Sequence, residues 1–209
     1  MLGTVIMEIT SEVAGALYDS GCLKFGTFRL KSGVLSPYYI DLASVLSSPK
    51  DLCKLADIAS QRVKQIAAKD RIDKLATIEL KGALILPSIA CRTNMPCVIV
   101  RKETKSYGAT GRTAGSDIAK GERILFFDDV VTEGLSKVEG IKPLQELGAT
   151  VEHILVIVDR EQHGKEKLEK LGFKVHALAK VTELAQTLVK DSKISKEQGE
   201  AVLNYVKGL

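Results

Sequence analysis

Apolar positions along the chain follow two different periods. Val5, Ile6, Ile9, Val13 and Leu17 recur at near-helical spacing, which predicts an amphipathic helix over 5–17. Leu23–Leu30 and Tyr38–Leu42 read as short strands separated by the turn signal Lys31-Ser-Gly33. Ser48-Pro49 starts a helix with Leu52, Leu55, Ala56, Ala59, Val63 and Ile66 on one face. Beyond it, strand and helix alternate. Strands are expected at Leu75–Leu80, Cys97–Arg101, Ile124–Phe127, Val151–Val158 and Phe173–Leu178. Helices are expected at Ala83–Arg92, 134–147, 164–171, 181–190 and 196–207. Strands that are apolar throughout and separated by helices imply an α/β fold whose mostly parallel sheet is buried on both faces. Pro143 stands inside the 134–147 helix, where it should kink the axis.

The connection 102–122 lacks such periodicity. It is Gly-rich, has no large aliphatic besides Ile118, and reads as a mobile loop over a ligand. The 209 residues suit one domain, with 1–45 as an N-terminal appendage. Apolar residues at 45% and charged residues at 27% allow a real core and exclude a disordered chain. No 18-residue apolar run predicts a membrane span. The first residues carry acids and no early cation, unlike a signal peptide, so the chain is expected in the cytoplasm. Cys22, Cys53, Cys91 and Cys97 form no C-x-x-C pair and read as reduced core thiols. His153, His163 and His176 lack ligand spacing, so no metal held directly by protein side chains is expected. A net charge of +4 suggests an anionic small-molecule partner. It gives little support for nucleic acid, which the aromatic content of 5% and the missing Trp also disfavour.

The strongest chemical signal is Ile124-Leu-Phe-Phe-Asp-Asp-Val-Val-Thr-Glu-Gly-Leu-Ser136. A buried strand ends in Asp128 and Asp129, and a short turn through Thr132 and Gly134 opens a helix. In a parallel sheet this puts two carboxylates beside a helix N-terminus at the ligand-binding edge. Free N–H groups there suit a phosphate, and the acids suit sugar hydroxyls or hydrated Mg²⁺. The plainer alternative is that the acids end a strand and Thr132 caps a helix.

This segment resembles the ribose-phosphate signature of the type I phosphoribosyltransferases. Three further stretches narrow the resemblance to orotate phosphoribosyltransferases. They are Phe25-Gly-Thr-Phe-Arg-Leu-Lys-Ser-Gly-Val-Leu-Ser-Pro-Tyr-Tyr39, Arg101-Lys-Glu-Thr-Lys-Ser-Tyr-Gly108 and Asp159-Arg160-Glu161. All four stand in the family's order. The resemblance implies the type I fold with 1–45 as a hood over the base, and a Mg²⁺-dependent transfer from phosphoribosyl pyrophosphate (PRPP) to orotate. It implies a homodimer in which the 102–122 loop reaches the neighbouring site. By the same resemblance Lys81, Arg101, Lys102, Lys105 and Tyr107 would meet the pyrophosphate, with Lys102 catalytic alongside Asp128 and Asp129. The run Asp128, Asp129, Val130, Val131, Thr132, Glu133, Gly134, Leu135, Ser136 would hold the ribose 5-phosphate. Lys31, Tyr38, Tyr39, Thr132 and Arg160 would meet orotate, Arg160 reading its carboxylate bidentately.

Read without the family, Lys31 is a solvated cation beside strand tyrosines, 101–112 a basic loop and Arg160 a surface ion-pair partner. The chain also departs from the pattern. Tyr107 replaces a histidine, while Glu133 and Leu135 replace small residues in the phosphate turn. Glu133 is expected to point away from the phosphate. Two other functions stay open: transfer to another base, and a non-catalytic nucleotide-binding regulator of the same fold.

Overall fold

The computed structural model describes residues 2–30, 33–105 and 111–208, with side chains from residue 8 onward except those of 104 and 105. Lys31 and Tyr107 lie outside the described residues, as does the Lys105 side chain. The strands are β1 (Leu23–Arg29), β2 (Leu35–Ile40), β3 (Lys74–Ile78), β4 (Cys97–Lys105), β5 (Gly111–Gly115), β6 (Arg123–Val131), β7 (Thr150–Asp159) and β8 (Lys174–Lys180). The helices are α1 (Leu2–Asp19), α2 (Pro49–Ala67), α3 (Leu86–Thr93), α4 (Leu135–Glu146), α5 (Gly164–Lys170), α6 (Val181–Lys190) and α7 (Lys196–Lys207).

Six strands form one sheet in the order β5-β4-β3-β6-β7-β8, and β1 and β2 form a separate antiparallel pair. β3, β4, β6, β7 and β8 run parallel, as their continuous apolar runs require. Side chains from β6 alternate between two cores. Leu125 and Phe127 join residues of α1, α2, α3, α6 and α7 on one face. Ile124 and Phe126 join Ile141 and Leu144 of α4 and Leu168 of α5 on the other. Tyr38, Leu23, Val13 and Leu17 belong to the first of these cores, so the N-terminal segment packs on the same body as the sheet.

Several expectations need correction. The 102–122 stretch is not an open loop throughout. It carries the end of β4 and all of β5, which pairs antiparallel with β4 at the sheet edge. Gly-Arg-Thr-Ala-Gly has no apolar pattern to reveal this; backbone pairing makes it a strand. β6 does not stop at Phe127, because its pairing with β7 continues through Val130 and Val131. Asp128 and Asp129 therefore lie inside the strand. The expected 83–92 helix is divided into a 3-10 turn at Gly82–Leu84 and α3, with Pro87 in the first turn of α3. Pro143 sits in the last turn of α4, where it denies a donor only to the carbonyl of solvent-exposed Glu139. Cys53 and Cys91 are exposed rather than core thiols, while Cys22 is buried.

Among the described residues no helix is long and apolar enough to cross a membrane. His153 and His176, far apart in sequence, stack with centroids 5.3 Å apart and share a 3.0 Å contact between Nδ1 and Nε2.

Candidate active site

The chain leaves β3 for β4 on one side and β6 for β7 on the other. The gap between the carboxyl ends of β3 and β6 is thus a topological switch point, where parallel sheets bind ligands. An open cleft of about 810 Å³ lies there. The segment after β3 supplies Glu79, Leu80 and Lys81 to it, and the end of β6 with the following turn supplies Asp128, Asp129, Val130 and Thr132 through Ser136. Lys102 and Arg112 join from β4 and β5. Val131 stays fully buried in the strand, outside the cleft lining.

Packing fixes these segments closely. α4 approaches β6 through Gly140, where a β-carbon would stand 2.7 Å from Phe126 Cζ. The turn before α4 passes through Gly134 at φ +86°, a conformation that favours glycine. No side chain caps the N-terminus of α4, so Thr132 is not its cap and the first N–H groups remain available to an anion. On the β3 side, a β-carbon at Gly82 would meet Thr77 Oγ1 at 2.1 Å and Asp128 Oδ1 at 3.0 Å. Only glycine lets the two loops approach this closely.

The charges inside the cleft are strongly coupled. Asp128 and Asp129 are 5% and 7% exposed. Asp128 Oδ2 accepts a 2.7 Å ion pair from Lys137 Nζ, itself buried, and Asp128 Oδ1 accepts the Asp129 N–H at 2.9 Å. Burial, helped by the neighbouring Asp128 charge, pushes the Asp129 carboxyl up to about 6 against the pull of Lys137 and Lys81. Lys81 pairs with Asp41 at 3.2 Å, tying the segment after β3 to the one after β2. Burial works to lower its ammonium pKa, but the Asp41 hydrogen bond and the Asp129 charge prevail and raise it.

The root of the 102–122 stretch is held by its own bonds. Lys102 N–H donates to Glu79 Oε1 at 2.7 Å. Arg101 Nη1 donates to the Gly111 carbonyl at 3.1 Å, and Arg112 Nη2 reaches the carbonyls of Arg101 and Lys102 at 3.4 and 3.3 Å. Lys105 extends β4 opposite Gly111.

Arg160 sits just past β7, its N–H donating to the Val131 carbonyl at 3.1 Å. Its Nε donates to Tyr38 Oη at 3.3 Å and its guanidinium covers the Tyr38 ring at 5.1 Å. Arg160 Nη2 is buried and has no partner among the described residues. Tyr38 is wholly buried between Arg160 and the edge-on Tyr205 ring, whereas Tyr39 is 39% exposed and stacks on Phe28. The two tyrosines therefore have different places, one behind the arginine and one at the surface. Glu133 is exposed on the cleft wall.

Lys137 escaped the sequence reading as a site residue, and Arg112 figured in it only as one of the clustered cations of the basic 101–112 stretch. Lys137 carried one faint sign: a lysine in the first turn of a helix opposes the helix dipole, so something else must hold it.

Comparison with known proteins agrees with this geometry. Residues 41–191 match the phosphoribosyl transferase domain. The orotate phosphoribosyltransferase of Pyrococcus horikoshii is 38% identical over 192 residues, covering 92% of this chain and all of that protein. A solved orotate phosphoribosyltransferase from Aeropyrum pernix superposes with a TM-score of 0.70 at 28% identity, over 88% of this chain and 99% of that one. Leishmania donovani UMP synthase superposes with a TM-score of 0.84 at 31% identity, over 96% of this chain but only 42% of that larger one. By sequence across nearly its whole length and by fold, the chain belongs to the orotate phosphoribosyltransferase family.

Proposed function

We propose that the chain transfers the ribose 5-phosphate of PRPP to N1 of orotate, giving orotidine 5′-monophosphate and pyrophosphate for pyrimidine synthesis. The observation that carries this reading is the switch-point cleft, where two buried carboxylates meet an uncapped helix N-terminus. As the C1–O bond to pyrophosphate breaks, the N1–C1 bond forms and the N1 proton passes to water, the ribose gains oxocarbenium character. The protein's task is then positioning and charge stabilisation. Asp128 is already neutralised by Lys137, so Asp129 is the stronger acceptor for a ribose hydroxyl. The N–H groups from Thr132 to Ser136 hold the 5′-phosphate. Lys81, Arg101, Lys102 and Lys105 neutralise the leaving pyrophosphate, with Lys102 delivering its proton.

Among the described residues no three side chains form a metal cage. The donor set fits Mg²⁺ carried on substrate oxygens and water beside Asp129, where it would add positive charge at the leaving group. We read the enzyme as a cytoplasmic homodimer with 1–45 as a hood, whose 102–122 stretch serves the partner's site, Tyr107 standing in for a histidine donor. Lys102 also lines the cleft of its own subunit. Mixing Lys102→Ala with Asp129→Asn subunits distinguishes the two arrangements. Activity returning in the mixture supports sharing, and none returning places Lys102 in its own subunit's site.

Arg160 sets the choice of base. Its buried, unpartnered Nη2 suits the orotate carboxylate, and Tyr38 fixes the guanidinium from behind. By the family resemblance, Lys31 and Tyr39 would also meet the base. Arg160→Ala should raise KM for orotate by about 10- to 100-fold, the worth of a charged hydrogen bond, and leave KM for PRPP within about twofold. The reverse pattern in steady-state kinetics would sink the assignment. Consumption of orotate, uracil and purine bases in the presence of PRPP tests the whole reading. Turnover of orotate alone supports it; turnover of a purine, or of nothing, favours one of the rivals.

Glu133 faces solvent on the cleft wall, where a carboxylate costs under about 1 kcal/mol of phosphate binding. Glu133→Ala should therefore change KM for PRPP by less than about fivefold. A fall of about a hundredfold would put this carboxylate in the phosphate's field.

A further inference from the structure

We propose that Glu79 and Arg112 are positioning residues for Lys102, gripping its backbone from opposite sides. The inference rests on the reading of Lys102 as the cation at the leaving pyrophosphate, and it holds whichever subunit's cleft that lysine serves. Lys102 lies on β4 between β3 and β5. From the β3 side, the Glu79 carboxylate accepts the Lys102 N–H at 2.7 Å. From the β5 side, Arg112 Nη2 donates to the Lys102 carbonyl at 3.3 Å and to that of Arg101 at 3.4 Å.

Both bonds involve a charged side chain and a backbone group, the stronger class of hydrogen bond. They also stand where the sheet ladder is irregular. The β4 register with β3 runs to Val100, and the register with β5 shifts between Val100 and Lys105. Lys102 falls in that interval, where the two side chains add to what backbone pairing holds. Arg112 lies on an edge strand, where an arginine could extend freely into solvent, yet its Nε is buried.

Glu79 does more than hold one amide. It is two residues from Lys81, on the segment that follows β3, so one bond ties the Lys81 loop to the Lys102 end of β4. Lys81 and Lys102, two of the four cations assigned to the pyrophosphate, are thereby held in a fixed relation within the subunit before substrate arrives. Placing charge in advance is where transition-state stabilisation of this kind comes from.

The test combines steady-state kinetics with amide exchange on the full-length enzyme. Glu79→Ala should lower kcat about tenfold or more while leaving KM for orotate within about twofold, because one charge-assisted bond is lost. Glu79→Gln still offers an oxygen to the amide and should keep most of the activity. Arg112→Ala should resemble Glu79→Ala. In a Lys102→Ala background, Glu79→Ala should cost less than about twofold more, since partners acting through one group are not additive. An undiminished tenfold loss in that background would overturn the proposal, as would Gln failing as badly as Ala. Hydrogen exchange at the Lys102 amide is a separate readout. It should quicken in Glu79→Ala and not in Glu79→Gln, and unchanged exchange in Glu79→Ala refutes the grip. If exchange responds as expected while Lys102→Ala leaves kcat intact, the grip stands and the role given to Lys102 falls.

Discussion

Replacing Lys137 with methionine should destabilise the protein by about 3–5 kcal/mol, the cost of breaking a buried ion pair by removing one partner. The Lys137 and Asp128 side chains are 5% and 7% exposed and meet at 2.7 Å. Methionine fills a similar volume but leaves the Asp128 carboxylate inside the protein with, among the described residues, one backbone N–H as its remaining partner, that of Asp129. Little of it is exposed to the cleft, and its like-charged neighbour Asp129 is itself buried. The loss should be visible as a lower urea midpoint with an unchanged slope. Adding Asp128→Asn should recover a large part of it, because a neutral amide no longer needs the ammonium. A Lys137→Met variant within about 1 kcal/mol of wild type would show that the pair is solvated and worth no more than a surface bridge. The same substitution removes a charge that holds down the Asp129 pKa, so any surviving activity should shift toward higher pH.

The parts of this site legible in the sequence are those built from consecutive residues. Strand, acids, turn, Gly134 and helix follow one another between 124 and 136, so a periodicity change and two carboxylates sufficed to mark a candidate ligand-binding segment, and the family resemblance proposed its ligand. The central strands were equally legible, because burial on both faces leaves only apolar residues. What stayed hidden depends on register between distant segments. Nothing in 135–146 announces that Lys137 faces Asp128, since the pairing requires the close seating of α4 on β6 that Gly140 permits. Glu79 meets Lys102 across 23 residues, and Arg160 meets Tyr38 across 122. β5 was missed for a different reason. Its five residues carry no hydrophobic signal, and only the partner strand makes them extended. Two of the four cysteines assigned to the core illustrate the same limit, since Cys53 and Cys91 lie on helices whose buried faces were legible but not exclusive.

Asp129→Asn should make the ligand-free protein more stable and a poor catalyst at once. Burial raises the Asp129 carboxyl from 3.8 to about 6. The native state therefore holds more protons than the unfolded chain between those values, and stability falls as pH rises through that window. Above about 6 the full penalty is present, about 3 kcal/mol for that displacement. Asparagine has no charge to bury, so at pH 7 the variant should gain about 2–3 kcal/mol, or about 5 °C or more in Tm for a chain of this size. At pH 4 the wild-type carboxyl is largely neutral and the gain should nearly vanish. Activity should move the other way. The amide presents one acceptor oxygen without charge where the carboxylate presents two, so kcat/KM for PRPP should drop by about 10- to 100-fold. A gain in Tm that is the same at pH 4 and pH 7 would show that the asparagine stabilises by packing, and no gain at either pH would show that Asp129 is already neutralised by Lys81. The expected pattern, stability bought only where the carboxylate is ionised, identifies Asp129 as a charge kept in an unfavourable place for the ligand it receives.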